Sequence, residues 1–547
     1  MASQNSPEIS DGNEVGKFKV VNDALEASYN ELPYRGHSLN LTHPDFLAAQ
    51  AVLFGLAPSN VETCRVLELG CGDGSNLIPM AITLPNAKFL GVDLSNRQIE
   101  EGLEDIEHLC LDNIELKQGD LLDFDSRYGQ FDYIICHGVF SWVPTLVRDK
   151  ILCICRDHLS ANGIAYISFN TYPGWHLRGV MRDVLQYQAS RGSSVKEAVE
   201  LARGQLSFLM EAIRPTNDPY ANLLREEVKH LTESVDTYLF HEFLEVENTP
   251  LYFHEFVKLL DRESLRYVGD AGFDCFDSEK LSPEVHKSVL AHATNHLDFE
   301  QQADFVRGRR FRRALIGQRD CEPRRPIDAN RLTNLWLSSG AKSSASEIRL
   351  GEDHDAEFLL EKGAKLNTNN PVAKALLQFL IEQWPRRVHF SEVHTTVTQM
   401  LQHADCQALG DSSELQSRLA ILALHFTFNG FVSLHAKVPR MSVVPSERPL
   451  ASPLARLQVA RGSKFVTNLL HFSGSIDPLQ RMILPQLDGS HDCEAILDVL
   501  LDASQSIGLD IKEDGKTVLN PERKRQLLRP TIELTLQQLA NAGLLIE

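Results

Sequence analysis

A short glycine-rich loop after a buried strand constrains this chain more than any other feature. Residues 66–76 read VLELGCGDGSN and follow an apolar run. A glutamate and three glycines alternate in this stretch: Glu68, Gly70, Gly72 and Gly74. Glycine is favoured where the backbone must turn with positive φ, or where a ligand must approach the backbone closely. The stretch therefore predicts a strand-to-helix turn that holds a ligand.

Predicted strands and helices alternate around this loop. Buried strands are predicted from CRVLELG and AKFLGVDLS, from IELKQGDLLDF with its exit loop, and from FDYIICHGVFSWV and IAYISFNTY. Helices are predicted between them, among them NRQIEEGLEDIEHL and DKILCICRDHLSANG, the second ending at Gly163. This order is typical of βαβ units and predicts an α/β fold with a parallel sheet.

The glycine spacing excludes two phosphate-binding loops. The dinucleotide fingerprint G-x-G-x-x-G requires glycine at position 75, where this chain has Ser75. The P-loop is also absent, because no Gly-Lys-Ser/Thr follows the glycines. The loop is therefore expected to close on an uncharged or zwitterionic ligand and not on a pyrophosphate.

Acidic residues follow the next two predicted strands. Asp93 ends the second strand, where a carboxylate can accept both hydroxyls of a ribose. Asp120 and Leu121 follow the third strand, where they could meet the edge and the face of an adenine. The strand, the glycines and these acids together resemble a class I S-adenosylmethionine-dependent methyltransferase with its Rossmann-like sheet.

The resemblance implies S-adenosyl-L-methionine as the cofactor. It implies that the glycines surround the methionine moiety, with Glu68 toward the amino group, Asp93 on the ribose and Asp120 near the adenine. The cofactor-binding set is Glu68, Gly70, Cys71, Gly72, Gly74, Asp93, Leu94, Asp120, Leu121 and His137.

Aromatic residues flank this segment on both sides. Ligands of an open α/β sheet bind at the carboxyl ends of its strands, so these side chains are expected beside the transferred methyl group. An aromatic slot would hold a lysine ammonium by cation–π contact and would depress its pKa by excluding water. The candidate catalytic residues are Tyr29, Tyr34, His43, Asn170, Tyr172 and Trp175, with Trp142 facing the same crevice. For the general base, Tyr29, His43, Tyr172 and water stay open.

The flanks carry a more specific resemblance. The stretches YNELPY…THPDFLAAQAVLFGL, NTYPGWHLRGVMRDVL and residues 236–270 resemble bacterial methyltransferases with a "methyltransferase regulatory domain". That group includes lysine methyltransferases of outer-membrane proteins. The resemblance implies N-methylation of lysine in a protein, such as an envelope protein before export. Two alternatives stay open: a small-molecule methyltransferase and a non-catalytic, cofactor-sensing binding protein.

The chain is long enough for several domains. Helical residues between sheet strands usually form a cap or a dimer contact, so a homodimer through the insert is one alternative. Residues 337–355, rich in serine, glycine and aspartate, are predicted to be a linker. The predicted segments are an N-terminal lid over the cofactor site at 1–60, the S-adenosylmethionine-binding core at 61–177, a helical insert at 178–250, completion of the sheet at 251–320, a middle domain resembling a winged helix at 346–445 and a mainly helical, winged-helix-like domain at 446–547.

Composition excludes several classes of protein. The 547 residues include 54 lysines and arginines against 74 acids, so nucleic-acid binding is not expected. No apolar run approaches the length of about 18 residues that suggests a membrane helix, and the start MASQNSPEIS does not resemble a signal peptide. The 10 cysteines contain no Cys-x-x-Cys pair, so no metal site is predicted and a reducing, cytoplasmic compartment is expected.

An arginine cluster interrupts this acidic composition. Residues 307–325 contain eight arginines. Arginine pairs bidentately with carboxylate and phosphate, so the cluster could dock an acidic partner or pair with acids of the same chain. The surplus of acids favours pairing within the chain.

Overall fold

A seven-stranded sheet forms the centre of the computed structural model. The strands are β1 Arg65–Leu69, β2 Lys88–Asp93, β3 Ile114–Gln118, β4 Phe131–Cys136, β5 Leu159–Asn170, β6 Leu265–Asp270 and β7 Phe311–Gln318. Their order is β3-β2-β1-β4-β5-β7-β6; β1 to β5 pair in parallel, and β7 is antiparallel to both β5 and β6. The predicted α/β, Rossmann-like sheet is confirmed. The structure describes residues 31–32, 36–214, 218–272, 281–345, 348–351, 354–361, 363–404, 411–506, 512–513, 516–518 and 520–546.

Helices cover both faces of the sheet. The helices of the first part of the chain are Pro44–Leu53, Leu77–Thr83, Asn96–His108 and Thr145–His158. The predicted helix end at Gly163 is wrong, because the helix stops at His158 and β5 starts at the next residue. A Cβ atom on Gly163 would lie 2.7 Å from the Leu159 side chain, so this glycine serves close packing inside a strand.

A helical insert separates β5 from the last two strands. Its helices are Gly174–Ala189, Val195–Ile213, Pro219–Glu233 and Asp236–Phe243, and further helices at Phe253–Arg262, Pro283–His292 and His296–Arg307 accompany β6 and β7. Leucine at helical spacing gives the insert its own core, in which Met181, Leu206 and Leu231 are almost fully buried. The sheet is therefore built from two separate stretches of chain.

The arginines around β7 pair with acids of the same chain. Arg312 is fully buried and donates to Asp304 at 2.8 and 2.9 Å and to Asp270 at 2.9 Å. Arg309 bonds Asp270 at 2.6 Å, and Arg310 reaches Glu227 at 2.7 Å. This part of the cluster holds strands and helices together, as the surplus of acids predicts.

Three helices and a small sheet form the middle part. The helices are Pro371–Gln383, Phe390–His403 and Ser412–Phe428, and the sheet consists of β8 Trp336–Ser338, β12 Val388–His389 and β13 Ser433–His435. Beside them, β9 Lys342–Ser343, β10 Ala356–Leu359 and β11 Lys365–Thr368 form a second sheet. The linker predicted at 337–355 is wrong where it overlaps β8 and β9, because Leu337 is fully buried in the core of this part.

The C-terminal part packs against the central sheet. It consists of helices Pro453–Ala460, Pro478–Ile483, Cys493–Ser506 and Pro521–Asn541 with the short strands β14 Phe465–Thr467, β15 Ser473–Ser475, β16 Lys512–Glu513 and β17 Lys516–Thr517. Leu454 joins the core under the sheet, and Arg461 forms an ion pair with Asp105. Within the described ranges, no helix is long and apolar enough to cross a membrane.

Candidate active site

A cavity of about 300 Å³ opens at the carboxyl ends of β1 to β4. Of the predicted cofactor-binding residues, all but Gly74 line it: Glu68, Gly70, Cys71, Gly72, Asp93, Leu94, Asp120, Leu121 and His137. The cavity thus gathers residues from four strand ends and the loops that follow them.

The glycines shape the floor of the cavity. Gly70 has φ +75°, and a Cβ atom there would lie 2.3 Å from the Val139 side chain. At Gly74, with φ +74°, the Cβ would lie 2.9 Å from Leu116, away from the cavity wall. Gly70 therefore keeps the floor open. Gly74 allows the loop to pack on the sheet.

Asp93 is held in place by backbone donors. Its carboxylate accepts the N–H of Gly72 at 2.8 Å and that of Ser95 at 2.9 Å. Burial raises the pKa of Asp93, while these two hydrogen bonds oppose the rise. The side chain is fixed where a ligand with two hydroxyls could meet it.

Asp120 plays a local role as well as lining the cavity. Its carboxylate accepts the N–H of Leu122 at 2.9 Å and caps the short helix Leu121–Asp123. The cap places the largely buried Leu121 on the wall. An apolar side chain and an acid from one turn thus stand side by side, as a purine would need.

Glu68 provides a carboxyl group within the cavity that could bind a positively charged group of a ligand. One carboxylate oxygen accepts from Asn76 Nδ2 at 2.8 Å, and the other, Oε2, is buried and has no hydrogen-bond partner in the part of the chain that the structure describes. Burial raises the pKa of Glu68 to about 8. An unpartnered buried carboxylate oxygen is costly unless a ligand supplies a donor. The residues present therefore fit a ligand that carries an ammonium group, a ribose and a purine.

Aromatic residues line another part of the wall. Trp142 lines the cavity and packs edge to face on Trp175, with ring centres 6.1 Å apart. The His137 ring lies 6.2 Å from that of Phe311, and its Nδ1 is 3.0 Å from the Tyr166 hydroxyl. Burial lowers the pKa of His137 to about 4, so the imidazole is neutral at pH 7.

The helical insert adds an acid to the same wall. Glu242, on helix Asp236–Phe243, lines the cavity, and Arg178 lies 3.9 Å from its carboxylate. Burial raises the pKa of Glu242, although Arg178 opposes this. The neighbouring His241 is 2.9 Å from Glu245 and 2.8 Å from the Leu32 carbonyl, which ties the insert to the N-terminal segment.

The predicted catalytic residues that the structure describes do not line this cavity. Tyr29 and Tyr34 lie outside the described residues. His43 accepts the Asp45 N–H at 3.1 Å and lines a second, smaller cavity. Their proposed part in catalysis stays a prediction.

The other three candidates lie behind or beside the cavity. Asn170 donates to Asn248 at 3.1 Å, and Tyr172 stacks on His176 with ring centres 4.0 Å apart. Trp175 is buried behind Trp142, and its indole N–H has no partner among the described residues. Trp175 thus contacts the wall without forming part of it.

Several wall residues were not predicted. They are Gly36, His37, Leu39, Asn76, Gln98, Glu242 and Phe311. Asn76 closes the glycine-rich stretch itself, so its place at the start of a helix was a usable signal. Glu242 and Phe311 have no local signal, because the insert and the antiparallel strand β7 bring them to the cavity.

Three family models match the chain. Residues 67–165 match "Methyltransferase domain", residues 235–318 match "Predicted methyltransferase regulatory domain", and residues 447–544 match "PKMT, C-terminal winged helix domain". The matches fall on the central sheet, on the segment that ends with β7, and on the C-terminal part.

Relatives and solved structures extend the similarity over most of the chain. The uncharacterized protein RP789 of Rickettsia prowazekii is 32% identical over 524 residues, which cover 95% of this chain and 93% of that protein. RP028 of the same organism is 40% identical over 249 residues, 46% of this chain and 100% of that protein. The structure of PKMT2 from Rickettsia typhi superposes with a TM-score of 0.84 at 29% identity, covering 94% of this chain and 100% of that one. The same protein has also been solved in complex with AdoHcy, with a TM-score of 0.83.

Proposed function

The chain belongs to the family of S-adenosylmethionine-dependent methyltransferases that carry a methyltransferase regulatory domain, and we propose that it methylates lysine side chains of a protein. S-adenosyl-L-methionine is its cofactor. When bound, the cofactor supplies a methyl group on a sulfonium that is open to in-line attack. The protein's contribution to such a reaction is chiefly positioning and exclusion of water.

We assign cofactor contacts from the geometry of the cavity. Glu68 Oε2 receives the amino group, and Asp93 receives the ribose hydroxyls. Leu121 and Asp120 hold the adenine, and the open floor at Gly70 admits the methionine chain. Each assignment uses a group whose orientation is already set by backbone hydrogen bonds, burial or backbone conformation.

The observation that carries the lysine proposal is that Glu242, Trp142 and Phe311 line the same cavity. A lysine must lose a proton before attack, which costs about 4–5 kcal/mol at pH 7. Aromatic faces attract the ammonium, and a carboxylate at the same wall stabilises it on arrival. Because burial raises the pKa of Glu242, its carboxylate is also a better proton acceptor than an exposed one.

The similarity to PKMT2 over nearly the whole chain supports a protein substrate, since the abbreviation stands for protein lysine methyltransferase. We propose that the substrate is an envelope protein, modified in the cytoplasm before export. The open edge of the cavity agrees with a large acceptor, because Phe311 on its wall is 37% exposed.

We also propose that the chain forms a homodimer through the helical insert. Large apolar side chains stand exposed on its helices, among them Tyr187, Phe208 and Tyr220. Exposed apolar patches mark interaction surfaces. Light scattering of the purified protein should give twice the chain mass, and Phe208→Glu should lower it toward that of one chain; a monomer in both cases contradicts the proposal.

The test uses purified protein, cofactor with a labelled methyl group, and a lysate separated into envelope, soluble-protein and small-molecule fractions. Label in protein, located on lysine by mass spectrometry, is expected. Gly70→Arg should abolish it, because the new side chain would enter the cavity floor. Gly204→Arg, on an exposed helix face with open space around it, is the matched control. Label confined to small molecules, or no label with cofactor still bound, would contradict the lysine proposal.

A further inference from the structure

A loop of the C-terminal part reaches the cofactor cavity from outside the central sheet. His471, in the turn between β14 and β15, is 3% exposed. Its Nε2 lies 2.9 Å from Asn76 Oδ1, although the two residues are 395 positions apart in the chain. Asn76 in turn bonds Glu68, so one side chain separates the C-terminal part from the predicted ammonium site.

The contacts of Asn76 define the direction of its amide. The Leu39 N–H donates to Oδ1 at 3.0 Å, so this atom is the carbonyl oxygen, and His471 must donate the second hydrogen bond to it. The Asn76 Nδ2 group donates to Glu68 Oε1 at 2.8 Å and to the Thr42 hydroxyl at 3.0 Å. The Thr42 hydroxyl also lies 3.3 Å from Oδ1, so both ends of the amide have partners, and among the described residues His471 is the partner from the C-terminal part.

His471 makes this contact from an unfavourable backbone conformation. Its φ of +66° lies in the left-handed region, which residues other than glycine seldom adopt. Strained conformations persist where the surroundings determine them, and they cluster at functional sites. The His43 ring packs against it with centres 5.1 Å apart, which fixes the orientation of the imidazole.

A neighbouring contact ties the same loop to the rim of the cavity. The Ser473 hydroxyl lies 3.2 Å from that of Ser38. Ser38 sits between His37 and Leu39, which both line the cavity. The loop therefore contacts the cofactor cavity at two points, the wall behind Glu68 and the segment over the opening.

We propose that His471 is a positioning residue of the cofactor site, through which the docked C-terminal part sets the affinity for S-adenosylmethionine. His471 holds Asn76 Oδ1, the Asn76 amide then directs its N–H to Glu68 Oε1, and Glu68 Oε2 stays free for the cofactor's amino group. The proposal concerns cofactor binding alone and is independent of the identity of the methyl acceptor.

The experiment measures binding of S-adenosylhomocysteine to the full chain by calorimetry. His471→Gly removes the imidazole and also relieves the left-handed backbone, so the variant is expected to fold. Its Kd should rise about tenfold, as expected for the loss of one buried hydrogen bond to a binding group. His471→Gln can still donate from its side-chain nitrogen and should stay within about threefold of the natural protein.

Phe472→Ala is the matched control, since it truncates a half-exposed ring next to His471 and has no contact with Asn76 among the described residues. Its Kd should not change.

The pH dependence of binding gives a second readout. The pH at which affinity reaches its plateau should rise in His471→Gly. The reason is that Asn76, without its hydrogen bond from His471, no longer stabilises the Glu68 carboxylate beside Asp93 and Asp73. Unchanged affinity in His471→Gly would overturn the proposal. Equal losses in His471→Gly, His471→Gln and Phe472→Ala would overturn it too.

Discussion

The two acids Glu68 and Asp93 in this cavity differ in how fully the protein satisfies their hydrogen bonds. Glu68 is buried and Asp93 is half-buried, and their partners differ. Asp93 accepts two backbone N–H groups, whereas one oxygen of Glu68 has no partner among the described residues. Burial raises the pKa of both acids, but only Glu68 depends on the ligand for a counter-charge. The cavity is therefore prepared for an ammonium group at one defined atom.

Cofactor affinity should increase with pH and level off above about pH 8. The pKa of Glu68 is raised to about 8, so in the free protein the carboxyl is largely protonated at pH 7. An ammonium group favours the ionised form, so binding releases a proton and weakens as the pH falls below 8. Calorimetry at several pH values measures this. Glu68→Gln should weaken binding and remove the dependence; a pH-dependent Glu68→Gln variant would contradict the assignment.

Replacing Glu242 should slow methyl transfer more than it weakens cofactor binding. Glu242→Gln keeps the shape of the side chain but removes the charge that meets the acceptor ammonium. We expect kcat/KM for the protein acceptor to fall by about 10²-fold or more, the range of general acid–base and charge contributions. The Kd for S-adenosylhomocysteine should change little. Glu247→Gln, a short distance along the chain and not on the cavity wall, serves as the control.

At the scale of elements, β7 joins two stretches of chain that are far apart in sequence. It pairs with β5 on one side and with β6 on the other, and it carries Arg312 into the interior. Three acids surround that guanidinium, from β6 and from helix His296–Arg307. Phe253 lies under the same group, 3.9 Å from the guanidinium carbon to the ring centre. The strand thus connects helix His296–Arg307 to the sheet through charge as well as backbone pairing.

Arg312→Met should be strongly destabilising. The substitution leaves the buried Asp304 without its main partner and removes one of the two arginines that pair with Asp270. Breaking one side of a buried ion pair costs about 3–5 kcal/mol. Urea unfolding followed by circular dichroism should show the loss. Arg319→Met, at an exposed position just after β7, should change the free energy of unfolding by less than about 0.5 kcal/mol. Equal stability of the two variants would show that the network contributes little.

At the scale of the whole molecule, buried charges join the sheet to the middle part. Asp45, on helix Pro44–Leu53, accepts from Arg387 at 2.8 Å and lies 3.0 Å from His435 Nδ1. It also accepts the backbone N–H groups of Ala436 and Lys437, each at 2.7 Å. One carboxylate therefore connects its own helix to two segments of the middle part, 342 and 390 positions further along the chain.

This junction should make the protein sensitive to acid between about pH 6.5 and 4. Burial lowers the pKa of His43 and His435 from 6.5 to about 4, with Arg387 and Lys437 adding to the effect on His43. The unfolded chain takes up these protons near pH 6.5, so stability is complete above that value and is lost as the pH falls toward 4. Although burial opposes its ionisation, Asp45 keeps a pKa below its usual range beside Arg387 and stays charged throughout.

Thermal unfolding across this pH window is the measurement. These two histidines should contribute no change in Tm above about pH 6.5 and a steady fall below it. His435→Asn should flatten the fall, because one of the two titrating groups is gone, while His403→Asn on an exposed helix end should not. A Tm that is independent of pH down to 4 would contradict the role of these histidines.

The sequence by itself determined the order of β1 to β5, the glycine loop and the acids that follow the strands. These features are local, because a buried strand, a positive-φ turn and an acid at a strand end are each encoded by a few neighbouring residues. Parallel packing of the strands then brings their carboxyl ends together. The tertiary structure alone decided that Glu242 and Phe311 line the same cavity and that His471 contacts its lining residue Asn76. Their neighbours there lie far away in the chain, and only burial of the insert, of β7 and of the C-terminal loop against the sheet brings them within contact distance. The same long-range packing placed Asn170 and Trp175 beside the cavity and not in its lining. Asn170 uses its amide to bond Asn248, and the Trp142 ring packs against Trp175 and lines the cavity in its place.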